Sequence, residues 1–314
     1  MKALSYADIN LLPNKCIVDS RKECDTSVQF GPMKFDMPVY ASNMKSVVNE
    51  DTCIFFAKNN WFYTMHRFGV DPVAFCSIMQ DLSLYISISA GVNEDSYEQL
   101  LSLKRNGFCP DYITIDVANA WSDKTRRMAE YIKENFPRTF LIVGNIATGC
   151  AAADMERWGT IDAIKVGQAA GSVCITRHKT GFSRPMVTTI LDCVSRLDNT
   201  PIIADGGICE HGDIAKAISL GAKMVMAGSL FAGYDQSAGQ VIEIEDKMYK
   251  EYYGSASKYN KDSQTNIEGK KILIPYKGDM FRLIRELKED LQSSISYAGG
   301  KKLDDLQFVQ WETR

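Results

Sequence analysis

Cys174, Thr176 and Arg177 stand within four positions of one another, directly after the small-residue run Gly171-Ser172-Val173. The thiolate is the reactive form of cysteine, and a nearby cation with turn amides favours it. A hydroxyl two residues away can relay a proton. The group could therefore perform nucleophilic catalysis through a covalent adduct. Equally, Cys174 could be a structural thiol, since free cysteine often behaves as a small hydrophobe. A second chemistry is written in Asp205-Gly206-Gly207 and Gly228-Ser229. Glycines let backbone N–H groups approach an anion, and a helix N-terminus adds its dipole. One such loop would be only a tight turn, but two point to a phosphate site, with Asp205 placed to accept hydrogen bonds from sugar hydroxyls. His66 and His178 could act as acid–base groups, although a histidine beside Arg67 or Lys179 is more often a satisfied or surface residue. No GxGxxG and no GxxxxGK[ST] occurs, so neither a Rossmann site nor a P-loop is indicated.

These residues need elements to hold them. Short β-branched runs at 38–42, 62–67, 85–91, 112–118, 140–144, 163–167, 201–207 and 224–229 alternate with periodic charged segments such as 123–136 and 211–220. Eight strands with crossover helices predict an α/β fold of the (β/α)8 TIM-barrel type, whose working residues sit at the C-terminal ends of the strands. Those ends read Ser42-Asn43-Met44, His66-Arg67, Asp116-Val117-Ala118-Asn119, Gly167-Gln168, Asp205-Gly206-Gly207 and Gly228-Ser229. No linker or repeat divides the chain, so residues 1–314 are expected to form one domain. The polar stretch 255–269 reads as a mobile loop over the site, and 279–293 as a closing helix.

Composition narrows the class. Apolar residues make up 45% and charged residues 24% of the 314, the balance of a globular protein. A net charge of -3 gives no electrostatic case for nucleic acid or an anionic membrane as partner. No apolar run approaches a membrane span, and Met1-Lys2-Ala3-Leu4 lacks a signal-peptide core, so a cytoplasmic location is expected. Nine cysteines with no CxxC pair fit reduced thiols rather than a disulfide framework or a structural zinc.

The motifs together resemble the IMP dehydrogenase/GMP reductase barrels over nearly the whole chain. They are Asp8-Ile9-Asn10-Leu11-Leu12-Pro13, Ile115-Asp116-Val117-Ala118-Asn119, Gly171-Ser172-Val173-Cys174-Ile175-Thr176 and Ile203-Ala204-Asp205-Gly206-Gly207. The series continues through Gly228-Ser229-Leu230-Phe231-Ala232-Gly233, Tyr253-Gly254-Ser255-Ala256-Ser257, Glu268-Gly269-Lys270 and Pro275-Tyr276-Lys277-Gly278. The resemblance implies NADPH-dependent reductive deamination of the purine mononucleotide GMP to IMP and ammonia, through a thioimidate on Cys174. It makes Thr176 and Glu268 the proton-handling pair. Ser172, Gly207, Gly228, Ser229 and Tyr253 fall at phosphate positions and Asp205 at the ribose, with Gly206 among the substrate-binding residues. Ser255 through Ser257 and Gly269 fall beside the base, and Gly254 is a further substrate-binding position. Asp116, Val117, Ala118 and Arg67 fall where the family holds its nicotinamide cofactor. Carbonyls of Gly171, Cys174 and Arg177 match a potassium site, and the family suggests a homotetramer.

Two departures bear on this. The family's Gly-Ile-Gly-Pro-Gly is here Gly167-Gln168-Ala169-Ala170-Gly171, and Asn119-Ala120-Trp121 replaces a Gly-Tyr pair of some members. Alanine at positive φ costs about 1 kcal/mol, so the loop is expected to take another path, held by side chains such as Gln168, with weak potassium binding. The preference among GMP, dGMP and modified purine nucleotides stays open. IMP dehydrogenase-type oxidation to XMP is the nearest alternative, but the segment 259–268 has no arginine to activate water. A flavin-dependent barrel oxidoreductase and a nucleotide sensor without turnover are the alternatives from other classes.

Overall fold

The computed structural model describes residues 3–260 and 267–314. After β1 (Ile9–Leu11) comes a hairpin of β2 (Val28–Phe30) and β3 (Met33–Phe35). The parallel sheet then takes β4 (Val39–Ala41), β5 (Ser87–Ala90), β6 (Tyr112–Asp116), β7 (Phe140–Ile146), β8 (Ala163–Val166), β9 (Ile202–Asp205) and β10 (Met224–Ala227). Its order is β4-β10-β9-β8-β7-β6-β5, so each strand from β5 to β10 lies beside its sequence neighbour, and β4 beside β10. All these pairs are parallel. Buried on both faces, the strands read as near-continuous apolar runs such as Ile113-Thr114-Ile115 and Met224-Val225-Met226.

The expectation of eight strands is corrected to seven in the parallel sheet among the described residues. Residues 62–67 make a single bridge, Met65 to Ile88 of β5. Hydroxyls take over the bonding there: Ser89 Oγ donates to the Met65 carbonyl at 2.8 Å and Tyr85 OH to the Trp61 carbonyl at 2.5 Å. Tyr63 OH donates to the Tyr85 carbonyl at 2.7 Å. Backbone partners satisfied by side chains need no ladder. Toward β4 the contact is aromatic, with Phe62 and Tyr40 rings 4.8 Å apart.

Aromatic rings close the end of the sheet opposite the strand termini of interest. Phe30 and Phe35 from the β2–β3 hairpin pack on Phe62, and Phe30 also on Tyr112 and Phe140, which open β6 and β7. The hairpin turns at Gly31 (φ 58°), where an added Cβ would fall 2.7 Å from the Phe140 ring. That end is packing, which leaves the C-terminal strand ends for chemistry.

Helices lie between the strands. α4 (Asp123–Asn135) and α8 (Gly212–Ser219) match the expected 123–136 and 211–220 within the usual fraying of helix ends. Ser122 caps α4 by accepting from Thr125 N–H at 3.3 Å, and Asp279 caps α9 (Met280–Tyr297) by accepting from Phe281 N–H at 3.0 Å. His211, at the start of α8, makes no cap bond and instead meets Asp290 Oδ2 at 2.7 Å. After β10 an antiparallel sheet follows, β11 (Val241–Ile244), β12 (Lys247–Tyr253) and β13 (Lys271–Pro275). β14 (Trp311–Thr313) returns to pair with β1. Among the described residues no helix is long and apolar enough to cross a membrane.

Candidate active site

Cys174 lies in the loop after β8, just before the short helix α6 (Thr176–Thr180). Its thiol donates to Thr176 Oγ1 at 3.2 Å, and the Thr176 hydroxyl donates to Glu268 Oε2 at 2.5 Å. Glu268 is 92 residues away from Thr176, and backbone pairing brings it there. Ile175 N–H donates to the Glu268 carbonyl at 2.8 Å and Lys270 N–H to the Val173 carbonyl at 2.9 Å, around a Cys174–Gly269 bridge. Gly269 is required at that crossing, because a Cβ would fall 2.9 Å from Ser257 N. Cys174, Thr176 and Glu268 thus form one line of proton donors and acceptors. Arg177, expected to influence the thiol, is exposed on α6.

The buried cysteines contrast with it. All nine are free. Cys53, Cys76 and Cys193 are buried, and burial pushes the thiols of Cys76 and Cys193 up to about 12, where no thiolate forms at neutral pH. His66 is also inert as an acid near neutrality: burial, then Lys45, lowers its pKa to about 4, and its Nδ1 accepts from Phe68 N–H at 3.2 Å. His178 is exposed. Among the described residues no group of three or more His, Cys, Asp or Glu could hold a metal.

A cradle adjoins the thiol. Gly206 and Gly207 take φ 91° and 76°, and a Cβ on Gly206 would sit 3.1 Å from Ala170 of the cysteine loop. A Cβ on Gly167 would fall 2.2 Å from the Asp205 carbonyl, so the two loops meet backbone to backbone. Beside them, a Cβ on Gly228 would lie 2.2 Å from Tyr252 OH. Burial raises the Tyr252 hydroxyl to about 12, while a hydrogen bond with Ser172 acts the other way. Tyr252, Ser172 and Gly228 therefore converge. Tyr253 does not join them: its N–H takes Ser46 Oγ at 3.1 Å and its ring tilts against Tyr259 at 5.8 Å. Tyr252, which the sequence motifs did not single out, is the tyrosine whose hydroxyl meets Ser172 and Gly228. Ser229 follows Gly228 in a turn rather than a helix, its carbonyl 3.3 Å from Lys277 Nζ.

Gly254 and Ser255 lead into the loop expected at 255–269, of which 261–266 lie outside the described residues. Gly254 N–H reaches the Lys270 carbonyl at 3.3 Å, and the Ser255 carbonyl accepts from Asn260 at 3.2 Å. The buried Ser257 hydroxyl has no partner among the described residues, an unspent group beside Gly269.

Across the sheet, Asp116 ends β6 and Asp205 ends β9. Lys165 of β8 lies between them, its Nζ 2.9 Å from Asp116 Oδ1, 2.7 Å from Asp205 Oδ2 and 2.5 Å from Asn145 Oδ1. Burial would raise the Asp116 carboxyl, but Lys165 and then Arg67 outweigh it and hold the pKa below the ordinary value. For Lys165, burial would lower the pKa, but Asp116 and Asp205 prevail and raise it. Asp116 and Lys165 therefore stay charged across the neutral range.

Arg67 stacks over Phe68 at 4.6 Å, and its buried Nε has no partner among the described residues. A Cβ on Gly91 would lie 3.3 Å from its Cζ. An unspent guanidinium donor, a carboxylate and a glycine at adjacent strand ends suit a group that carries an amide and sugar hydroxyls, as a nicotinamide cofactor does. Val117 pairs through its backbone with β7, its N–H taking the Gly144 carbonyl at 2.9 Å. The Ala118 carbonyl accepts from Gln168 Nε2 at 3.0 Å, so Gln168 does tie the cysteine loop down. Ala169 nevertheless takes φ 58°, so its Cβ has not diverted the loop from a left-handed residue. Of the three carbonyls matched to a potassium site, two are partly engaged. The Gly171 and Arg177 carbonyls already accept backbone bonds, from Cys174 and Gly181, both at 3.1 Å.

Residues 73–312 match the IMP dehydrogenase / GMP reductase domain. The chain belongs to the IMP dehydrogenase/GMP reductase family. It is 62% identical to the GMP reductase of Chromobacterium violaceum over 307 residues, covering 98% of this chain and 96% of that one. It is 49% identical to the GMP reductase of Leptothrix cholodnii over 312 residues, 99% and 96% of the two chains. With the GMP reductase of Staphylococcus saprophyticus identity is 48% over 313 residues, 99% and 95% of the two.

Proposed function

We propose that this chain reduces GMP to IMP and ammonia with NADPH, and that Cys174 carries the purine as a covalent thioimidate. The observation behind the reading is the bonded line from the Cys174 thiol through Thr176 to the Glu268 carboxylate, beside a glycine-lined cradle. The GMP reductases that cover nearly all of the chain support the substrate.

The line of bonds suggests the order of events. The thiol proton passes through Thr176 to Glu268, and the thiolate bonds to carbon 2 of the purine. Glu268 returns the proton, through Thr176 or directly, to the exocyclic amine, whose C–N bond breaks to release ammonia. Arg67, Asp116, Val117 and Ala118 would hold NADPH, which would supply the hydride that carbon 2 requires. The C–S bond then breaks and its electron pair returns to sulfur, giving IMP. Each turnover consumes one GMP, one NADPH and two protons and yields IMP, NADP+ and ammonium. The covalent adduct divides one difficult displacement into two easier ones. Ser172, Gly206, Gly207, Gly228, Ser229 and Tyr252 would hold the phosphate, Asp205 the ribose, and Ser257 and Gly269 the base.

The same reading takes residues 62–67 as the eighth position of a closed (β/α)8 barrel, single-domain and tetrameric, working among reduced thiols in the cytoplasm. The test is NADPH oxidation across GMP, dGMP, IMP and AMP, with XMP formation from IMP and NAD as a separate assay. Oxidation with GMP or dGMP and no XMP is expected. Steady XMP production would transfer the chain to the dehydrogenase side of the family.

A second expectation concerns potassium. With two carbonyls of its donor set engaged and Gln168 holding the loop, activity should change less than about threefold between potassium and a large organic cation at equal ionic strength. A strong potassium requirement would show that the loop rearranges to receive the ion.

A further inference from the structure

The role of Lys165 is not exhausted by charge neutralisation. It is 2% exposed, in the middle of an otherwise apolar strand, and its three ammonium protons meet three acceptors from three other strands. Two of those acceptors belong to different ligand subsites in the reading above: Asp205 to the nucleotide ribose and Asp116 to the nicotinamide cofactor. Their remaining bonds are unequal. Asp116 Oδ2 accepts from Asn43 Nδ2 at 3.1 Å. Asp205 Oδ2 accepts also from Asn145 Nδ2 at 2.7 Å, and among the described residues nothing bonds its Oδ1. Asn145 itself is fixed, since the same Nδ2 reaches the Gly167 carbonyl at 2.7 Å, at the root of the cysteine loop.

We infer that Lys165 is a positioning residue that couples the two subsites, so that filling one prepares the other. A ligand hydroxyl donating to Asp205 Oδ1 fixes that carboxylate. Fixing it fixes the ammonium, and the ammonium orients Asp116 toward the second ligand. Around an ammonium held away from water such bonds reinforce one another, and a carboxylate that shifts would leave that buried charge short of a partner. Thermodynamic linkage makes the effect reciprocal: each ligand tightens the other by the same factor.

This inference rests on the proposed function, and the experiment separates the two. IMP and NADPH do not react with each other, so the dissociation constant of IMP can be measured with and without saturating NADPH. In the parent protein NADPH should tighten IMP binding at least about fivefold, the lower end of ordinary coupling. In Lys165→Met the factor should fall to within about twofold of unity. Loss of the ammonium leaves two carboxylates facing each other, and this variant can fail to fold. Lys165→Arg keeps the charge but presents a planar fork instead of three tetrahedral donors, and its factor should fall at least about threefold below the parent's. A parent without coupling, or a folded variant with the parent's full factor, overturns the inference. If neither IMP nor NADPH binds the parent at all, it is the proposed function that fails.

Discussion

Replacing Cys174 with alanine is expected to lower kcat for NADPH oxidation by roughly 10⁴-fold or more, the scale on which removal of a catalytic nucleophile acts. GMP affinity should stay within about threefold. The cradle is built by other loops, from Asp205-Gly206-Gly207, Gly228 and Tyr252, and only Ser172 shares a loop with the thiol. Alanine removes the sulfur and the bond to Thr176 without placing a new atom in the site. Stopped-flow oxidation of NADPH and equilibrium binding of GMP separate the two quantities. Residual turnover within a hundredfold of the parent's would remove Cys174 from the mechanism.

Glu268→Gln tests the other end of the line of bonds. The amide preserves the shape that accepts the Thr176 hydroxyl but cannot take up and return a proton. The loss in kcat should be about 10²–10⁴-fold, the usual worth of a general acid–base group, with GMP binding little changed. Backbone pairing of Glu268 with Ile175 and Ala256 does not depend on the side chain, so the loop should keep its place. The informative step is the first half-reaction, followed as ammonia released in a single turnover. If ammonia release kept its rate, the proton would have to come from elsewhere. A rate within a few-fold of the parent's throughout would exclude Glu268 from proton transfer.

Much of this arrangement was legible in the chain, for identifiable reasons. Seven of the eight expected strands form because parallel strands buried on both faces must be short apolar runs, and such runs announce themselves. The exception, Phe62-Tyr63-Thr64-Met65-His66-Arg67, is buried through His66 like the others, although aromatic rather than aliphatic. What separates it is the supply of hydroxyls from Tyr63, Tyr85 and Ser89, which satisfy the backbone that a ladder would otherwise use. No periodicity records that choice. The glycines of the cradle and Asp205 were visible because close backbone approach leaves glycine as its signature.

Other parts were hidden. Glu268 lies far along the chain from Thr176, and only the family resemblance nominated it. Tyr252 and Tyr253 are adjacent on β12, where successive side chains face opposite sides, so the register against β13 decides which one meets Gly228. Lys165 left a signal that went unread. A single lysine in Ala163-Ile164-Lys165-Val166, with apolar neighbours on both sides, must be paired if the strand is buried. Aspartates end two other strands of the same sheet, which makes them its natural partners. Ala169 shows the reverse case: a side chain expected to redirect the loop is accommodated at φ 58°, a strain of about 1 kcal/mol that the surrounding contacts absorb.

The central claim is that GMP loses its amine at carbon 2 through Cys174 at the expense of NADPH. It is tested most directly by following NADPH, ammonia and IMP together in one reaction of purified protein with GMP. The account predicts equal amounts of NADPH consumed, ammonia released and IMP formed, and no detectable consumption or product when Cys174→Ala replaces the parent. NADPH consumption without ammonia, ammonia without IMP, or undiminished turnover by the alanine variant would contradict it.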